Sequence, residues 1–189
     1  MYSKYIENFL REDECNFLIQ LGEQTGLQKM KSSKFFNGVY VETALNEDTN
    51  KRMGCYFGEE MLNLSEIKQL SEKIIDKLND LKPFNGIKYI NVPKYSFNRY
   101  SQGDFLDWHA DSHEILYGAT STVILQLNDD YEGGDIKYII DGEEKIVPKK
   151  TGSIFIFDSN IQHSVSTVEN GNRYSLNVWP TKQIKKELI

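Results

Sequence analysis

From Ile87 to Pro180 the chain runs as short segments of β-branched and aromatic residues, cut by turn residues. Tyr89–Tyr100 is interrupted at Pro93, and Phe105–Ala110 follows the turn Gln102-Gly103. Thr120–Leu127 is the most strand-like run, and Asn128–Gly134 reads as a turn. Ile136–Ile140 and Glu144–Val147 flank Asp141-Gly142, a dipeptide suited to a two-residue hairpin. Ser153–Phe157 and Asn172–Trp179 complete a set of about seven or eight strands. Short strands at this spacing bury their apolar faces by stacking as a β-sandwich or jelly roll.

The first half reads differently. Residues 2–10 predict a short strand and its exit. Asp13 is placed to cap a helix running to about Thr25, with Phe17, Leu18 and Leu21 at helical spacing and Gly26 as its stop. Residues 28–58 are polar with scattered aromatics, and predict a strand near Phe36–Glu42 with loop elsewhere. Ser65 is placed to cap the clearest helix. Its stripe is Ile67, Leu70, Ile74, Leu78 and Leu81, and Pro83 and Gly86 end it. The expected organisation is one domain over 1–189. Residues 1–86 give helical support and loops, 87–180 the β core, and the charged tail is peripheral.

Composition excludes some functions. Hydrophobic residues are 39% of the chain, enough for a substantial core, and a net charge of -6 argues against a general phosphate-backbone binder. Cys15 and Cys55 have no metal-type or disulfide-framework spacing, so free thiols in a reducing compartment are expected. Glu7, Arg11, Glu12, Asp13 and Glu14 leave no secretory signal, and no apolar run is long enough for a membrane span. A soluble, cytoplasmic protein with neither membrane nor nucleic acid as partner is the expectation.

The chemistry gathers at Phe97–Asp111, FNRYSQGDFLDWHAD. A strand carrying His109 and Asp111 would put both side chains on one face, with Trp108 and Ala110 packed on the other. One remote imidazole would complete the 2-His-1-carboxylate set that holds non-haem Fe(II) with open positions. His163, opening a strand after SIFIFD, is one candidate for it. His113, continuing the alternation, is another. A lone His-x-Asp is more often a surface pair than a metal site. Arg173 adds weight, because it begins a strand whose inward face would read Arg173, Ser175, Asn177, Trp179. An arginine facing a barrel interior is costly unless paired, and a bound carboxylate would pair it through the guanidinium fork.

Four segments, FNRYSQGDFLDWHAD, DDYEGGDI, KKTGSIFIFDSNIQHSV and NRYSLNVW, resemble the iron- and 2-oxoglutarate-dependent dioxygenases. The likeness is to the prolyl-4-hydroxylase-like branch and the bacterial PKHD-type hydroxylases, and the start, YIENFLREDECNFLIQLGE, is similar too. It covers nearly the whole chain. It implies a mainly β (α+β) double-stranded β-helix, the jelly roll of cupin-like proteins, with supporting N-terminal α-helices. It implies His109, Asp111 and His163 as Fe(II) ligands, and leaves His113 to a loop. It implies Arg173 as partner of the 2-oxoglutarate distal carboxylate, with Tyr100, Gln126 and Asn177 as further cosubstrate contacts. Trp179 falls beside the metal pocket. Gln126 departs from a tyrosine found in some relatives, though its amide can still donate. No catalytic side chain is implied beyond the metal centre. Fe(II), 2-oxoglutarate and O2 are the implied cofactors, with ascorbate as an accessory candidate. The reaction implied is hydroxylation of an unactivated C–H, most simply on a prolyl or other residue of a peptide or protein, with succinate and CO2 as coproducts. Two other readings stay open: hydroxylation of a free amino acid or small metabolite, and a catalytically silent jelly-roll binding module. Loops 28–58 and 112–119 would set the substrate.

Overall fold

The computed structural model describes residues 1–30, 33–36, 39–42, 49–82, 87–92, 94–111 and 121–182. The chain begins with β1 (Ser3–Ile6) and α1 (Glu12–Gln24). Next come β2 (Gln28–Lys29), β3 (Ser33–Phe36), β4 (Val39–Glu42), β5 (Asn50–Lys51) and β6 (Met53–Tyr56). A short α2 (Glu59–Leu62) leads into α3 (Ser65–Leu81). The rest is strand: β7 (Tyr89–Asn91), β8 (Tyr95–Ser101), β9 (Phe105–His109), β10 (Ser121–Gln126), β11 (Glu132–Gly133) and β12 (Ile136–Ile140). It closes with β13 (Glu143–Ile146), β14 (Ile154–Asp158), β15 (His163–Val165), β16 (Val168–Asn170), β17 (Asn172–Val178) and β18 (Thr181–Lys182).

Two antiparallel sheets form the jelly roll. The major one runs β1-β14-β10-β17-β8-β6-β2, and the minor one β13-β12-β15-β9-β5. β1, β2, β5 and β6 all precede residue 87, so the first part of the chain supplies strands to both sheets as well as the supporting helices. The strand expected near Phe36–Glu42 is instead two paired strands, β3 and β4. The strands β2, β5 and β6 occupy stretches expected as loop, and are two to four residues long. Runs that short show no period, and pairing to a neighbour defines them. Asp141 and Gly142 have φ of 53° and 81°, as the hairpin turn between β12 and β13 requires. His113, Pro83 and Gly86 lie outside the described residues, as do loop 112–119 and much of 28–58.

Both helices form where expected, but their first turns differ. Arg11, not Asp13, is the N-cap of α1, and its N–H donates to Glu14 Oε2 at 2.7 Å. Asp13 instead holds the Arg11 guanidinium, at 2.9 and 3.0 Å. Leu64, not Ser65, caps α3, and the Ser65 hydroxyl donates to Glu66. The N-cap is the residue whose backbone is still extended where the helix begins, and that is Arg11 (ψ 161°) and Leu64 (ψ 140°). α3 ends at Lys82 in the left-handed region, φ 46°.

The major sheet separates two environments. Cys15, Leu18, Ile67, Leu70, Ile74 and Leu78 from the helices form one core with Phe97, Val123, Leu125, Ile154, Leu176 and Val178. On the facing side, Ile124, Phe155, Phe157, Ile136, Ile140, Val147 and Ile161 form a smaller cluster. Among the described residues no helix is long and apolar enough to cross a membrane.

Candidate metal centre

β9 ends at His109, and Asp111 lies just past it rather than on it. The two side chains still converge, with His109 Nε2 and Asp111 Oδ1 3.6 Å apart. Trp108 does not pack away from them as expected; it is 39% exposed. β15 opens on His163, which pairs with His109 across the minor sheet. The two rings lie 4.1 Å apart between centroids, and His163 Nε2 is 3.7 Å from Asp111 Oδ2. One donor atom from each of the three residues falls within 4.8 Å of the other two. No other group of three His, Cys, Asp or Glu donors is this compact among the described residues.

Each ligand candidate is oriented from behind. His109 Nδ1 donates to Asp107 O at 2.9 Å, and His163 Nδ1 to Ile161 O at 3.0 Å. A carbonyl only accepts, so each Nδ1 carries the proton and each Nε2 lone pair faces the cluster. Asp111 Oδ2 accepts from Thr122 Oγ1 at 2.9 Å and from Trp179 Nε1 at 3.2 Å. Burial pushes the His109 pKa down to about 4, helped by the His163 ring and opposed by Asp111. Burial alone would raise the Asp111 carboxyl; His163, His109 and the bonds from Thr122 and Trp179 outweigh it and hold the pKa low. A neutral His109 imidazole beside an ionised carboxylate is the donor state a cation needs. The mixed nitrogen and oxygen set, three donors on one side, fits Fe(II) with open positions.

The inner face of the major sheet supplies a second set of groups. Arg173 pairs with Tyr100 between β17 and β8, and its guanidinium lies 5.1 Å from the Tyr100 ring centroid. Arg173 is 1% exposed, yet no carboxylate pairs with it among the described residues. Its Nη1 donates to Ser175 Oγ at 3.1 Å and its Nη2 to Gln126 Oε1 at 3.3 Å. Its Nε is buried with no partner among the described residues, and so is Asn177 Oδ1. Gln126 offers Arg173 a carbonyl and not a donor. Its Nε2 is engaged by Tyr131 Oη at 2.6 Å and Asn128 O at 2.7 Å. Gly134 lets that turn close on the arginine: at φ 62°, an added Cβ would sit 3.2 Å from Arg173 Cδ and 3.0 Å from the Tyr131 ring.

All the expected residues outside loop 112–119 therefore face one interior: His109, Asp111, His163 and Trp179 at the metal cluster, Arg173, Tyr100, Gln126 and Asn177 along the sheet. Sequence reasoning passed over Thr122, Tyr131 and Arg52. Thr122 shares strand parity with Ile124 and Gln126, a signal that was available. Tyr131 and Arg52 lie in a turn and between two very short strands, where parity says nothing.

The 2OG-Fe(II) oxygenase superfamily matches residues 95–181. A PKHD-type hydroxylase of Alteromonas mediterranea is 28% identical over 125 residues, 61% of this chain and 55% of that protein. One from Gluconobacter oxydans is 24% identical over 133 residues, 65% of this chain and 59% of that protein. The chain thus spans a little over half the length of these curated relatives. Among solved structures, a Pseudomonas putida prolyl-4-hydroxylase aligns over 96% of this chain and 93% of its own, with TM-score 0.72 at 18% identity. A Trichoplax adhaerens prolyl hydroxylase, in complex with a hypoxia inducible factor oxygen degradation domain peptide fragment, aligns over 95% and 83%, with TM-score 0.72 at 19% identity. At such identities the structures speak for the fold alone. The strand order, the matched segment and the His109, Asp111 and His163 cluster point the same way: residues 95–181 carry the pattern of the 2OG-Fe(II) oxygenase superfamily, and the chain is similar to PKHD-type hydroxylases.

Proposed function

We propose that this chain is an Fe(II)- and 2-oxoglutarate-dependent dioxygenase that hydroxylates an unactivated C–H, on a prolyl or similar residue of a peptide or protein. The observation that carries this is two sets of groups in one barrel. Three oriented donors converge as a cation site would require, and a buried arginine has no carboxylate partner among the described residues. When bound, Fe(II) with 2-oxoglutarate and dioxygen supplies the oxidising power, with succinate and CO2 as coproducts.

The chain's own residues bind, orient and shield. His109, Asp111 and His163 would hold the metal. Thr122 and Trp179 fix Asp111 so that Oδ1 carries the free lone pairs. Arg173 would take the distal carboxylate of 2-oxoglutarate, which would pair the Nε that has no partner among the described residues. Ser175 and Gln126 hold the guanidinium in place beforehand, so little ordering remains to be done on binding. Asn177 presents an unpaired buried oxygen on the same strand face, suited to a donor on the cosubstrate or a bound water. Ascorbate would act only as an external reductant, and no residue is assigned to it. The peptide reading draws on the relative solved with a peptide fragment. A silent binding module would have no use for a three-donor cluster and a buried arginine together.

The test is anaerobic addition of Fe(II) and then 2-oxoglutarate, followed by aerobic incubation with peptide and metabolite pools. A weak visible charge-transfer band and products heavier by one oxygen atom are expected. No band with the wild-type protein would return the chain to the binding-module reading. A band with hydroxylated small molecules and no hydroxylated peptide would leave the dioxygenase standing and overturn the peptide substrate.

A further inference from the structure

The chain has four arginines, and they fall into two pairs. On the outside, Arg11 binds Asp13 at 2.9 Å and Arg99 binds Glu23 at 3.1 Å. Arg173 and Arg52 have no carboxylate among the described residues. Both belong to one row across the inner face of the major sheet. Arg173 pairs with Tyr100, and Met53 with Arg99, which places Arg52 next along, beside Tyr100 on its other flank. The Arg52 guanidinium lies 5.9 Å from the Tyr100 ring centroid, against 5.1 Å for Arg173.

Arg52 is also held for a purpose that packing does not explain. It is the single residue between β5, in the minor sheet, and β6, in the major sheet, so it sits where the chain crosses from one wall of the barrel to the other. Its Nε donates to Asn98 Oδ1 at 3.0 Å, and its Nη1 to Asn50 Oδ1 at 3.0 Å. Those two amides are themselves buried and anchored, Asn98 Nδ2 on Ser96 O at 2.9 Å and Asn50 Nδ2 on Met30 O at 3.1 Å. Neutral oxygens thus aim the fork without cancelling its charge. Nη2 makes no hydrogen bond among the described residues, and the side chain is half-buried, so among these residues one edge is open. β5, the strand that leads into Arg52, pairs with β9, the strand that ends at His109.

We propose that Arg52 receives a carboxylate of the primary substrate, so that the enzyme selects a target carbon lying a short reach from an anionic group. The inference rests on the dioxygenase reading, and gives Arg52 the role toward substrate that Arg173 has toward cosubstrate. The carboxylate can come from an acidic side chain beside the hydroxylated residue of a peptide, or from the α-carboxylate of a free amino acid. A guanidinium edge prefers a carboxylate to the matching amide by about tenfold or more when partly desolvated.

The experiment uses the full chain loaded anaerobically with Fe(II) and 2-oxoglutarate. Four probes are titrated and binding is read from the change in the visible band. They are proline-centred peptides flanked by Asp and Glu, the same peptides with Asn and Gln, L-proline, and L-prolinamide. The expected result is that an acid probe binds about tenfold tighter than its amide. That ratio should collapse towards one in Arg52→Gln and be partly kept in Arg52→Lys. A preference between the two peptide sets points to an acidic peptide, and one between proline and its amide to a free amino acid. Equal binding of acids and amides, or no binding of either acid, overturns the proposal. So does a loss in Arg52→Gln that falls on 2-oxoglutarate as heavily as on the probes, since that places Arg52 with the cosubstrate. A wild-type protein that gives no band with Fe(II) and 2-oxoglutarate fails at the dioxygenase reading instead, which keeps the two failures apart.

Discussion

β8 and β17 present two different proteins on their two faces. Phe97, Leu176 and Val178 point to the helices, fully buried among other apolar groups. Their neighbours in the chain, Tyr100, Arg173, Ser175 and Asn177, point inward and carry polar atoms with specific partners or none. The outer face is redundant, since each apolar side chain shares its burial with many others. The inner face is singular, because each polar atom has one place in a small network. The strands alternate between a face that makes the fold and a face that makes the site, so a single substitution should damage one property and spare most of the other.

Four substitutions test that separation. Asp111→Ala removes one of the three proposed metal donors and leaves Thr122 and Trp179 without their acceptor. Iron retention and turnover should vanish, read by metal analysis and succinate formation, and surviving turnover would break the assignment of the cluster. Phe97→Ala, on the outer face, should cost about 3–5 kcal/mol of unfolding free energy by denaturant titration. If the folded fraction still binds Fe(II) normally, the two faces are independent. Arg173→Ala should weaken 2-oxoglutarate by roughly 2–5 kcal/mol and iron far less, because it removes a charge-assisted pair and no metal donor. Parallel loss of both ligands by isothermal titration would merge the two inner sites into one. Trp179→Phe keeps the ring and deletes one bond to Asp111 Oδ2, so iron affinity should fall by roughly 10- to 100-fold with little change in melting temperature. An unchanged affinity would show that Thr122 alone positions Asp111.

The sequence was legible where a local rule sufficed. The α3 stripe, the Asp141-Gly142 hairpin and the alternation from Arg173 to Trp179 all follow from periods and turn chemistry along one stretch of chain. It misled where a cap had to be placed to the residue, at Asp13 and Ser65, because either neighbour satisfies the same pattern. It was silent at β5 and β6, where two to four residues have no period to read, and so Arg52 had no assigned face.

What the sequence determined by itself is the supply of parts: three donors, an arginine on an alternating strand, and enough apolar periodicity to build two stacked sheets and a helical support. What the tertiary structure decided is which parts meet. Only the pairing of β9 with β15 brings His109 and His163 together. Only the fold carries Thr122 and Trp179 to one oxygen of Asp111. Only the register of β6, β8 and β17 sets Arg52 and Arg173 on either flank of Tyr100. Patterns within a strand depend on the direction of successive side chains, which the backbone fixes locally. Contacts between strands depend on register, which is chosen by the whole core at once.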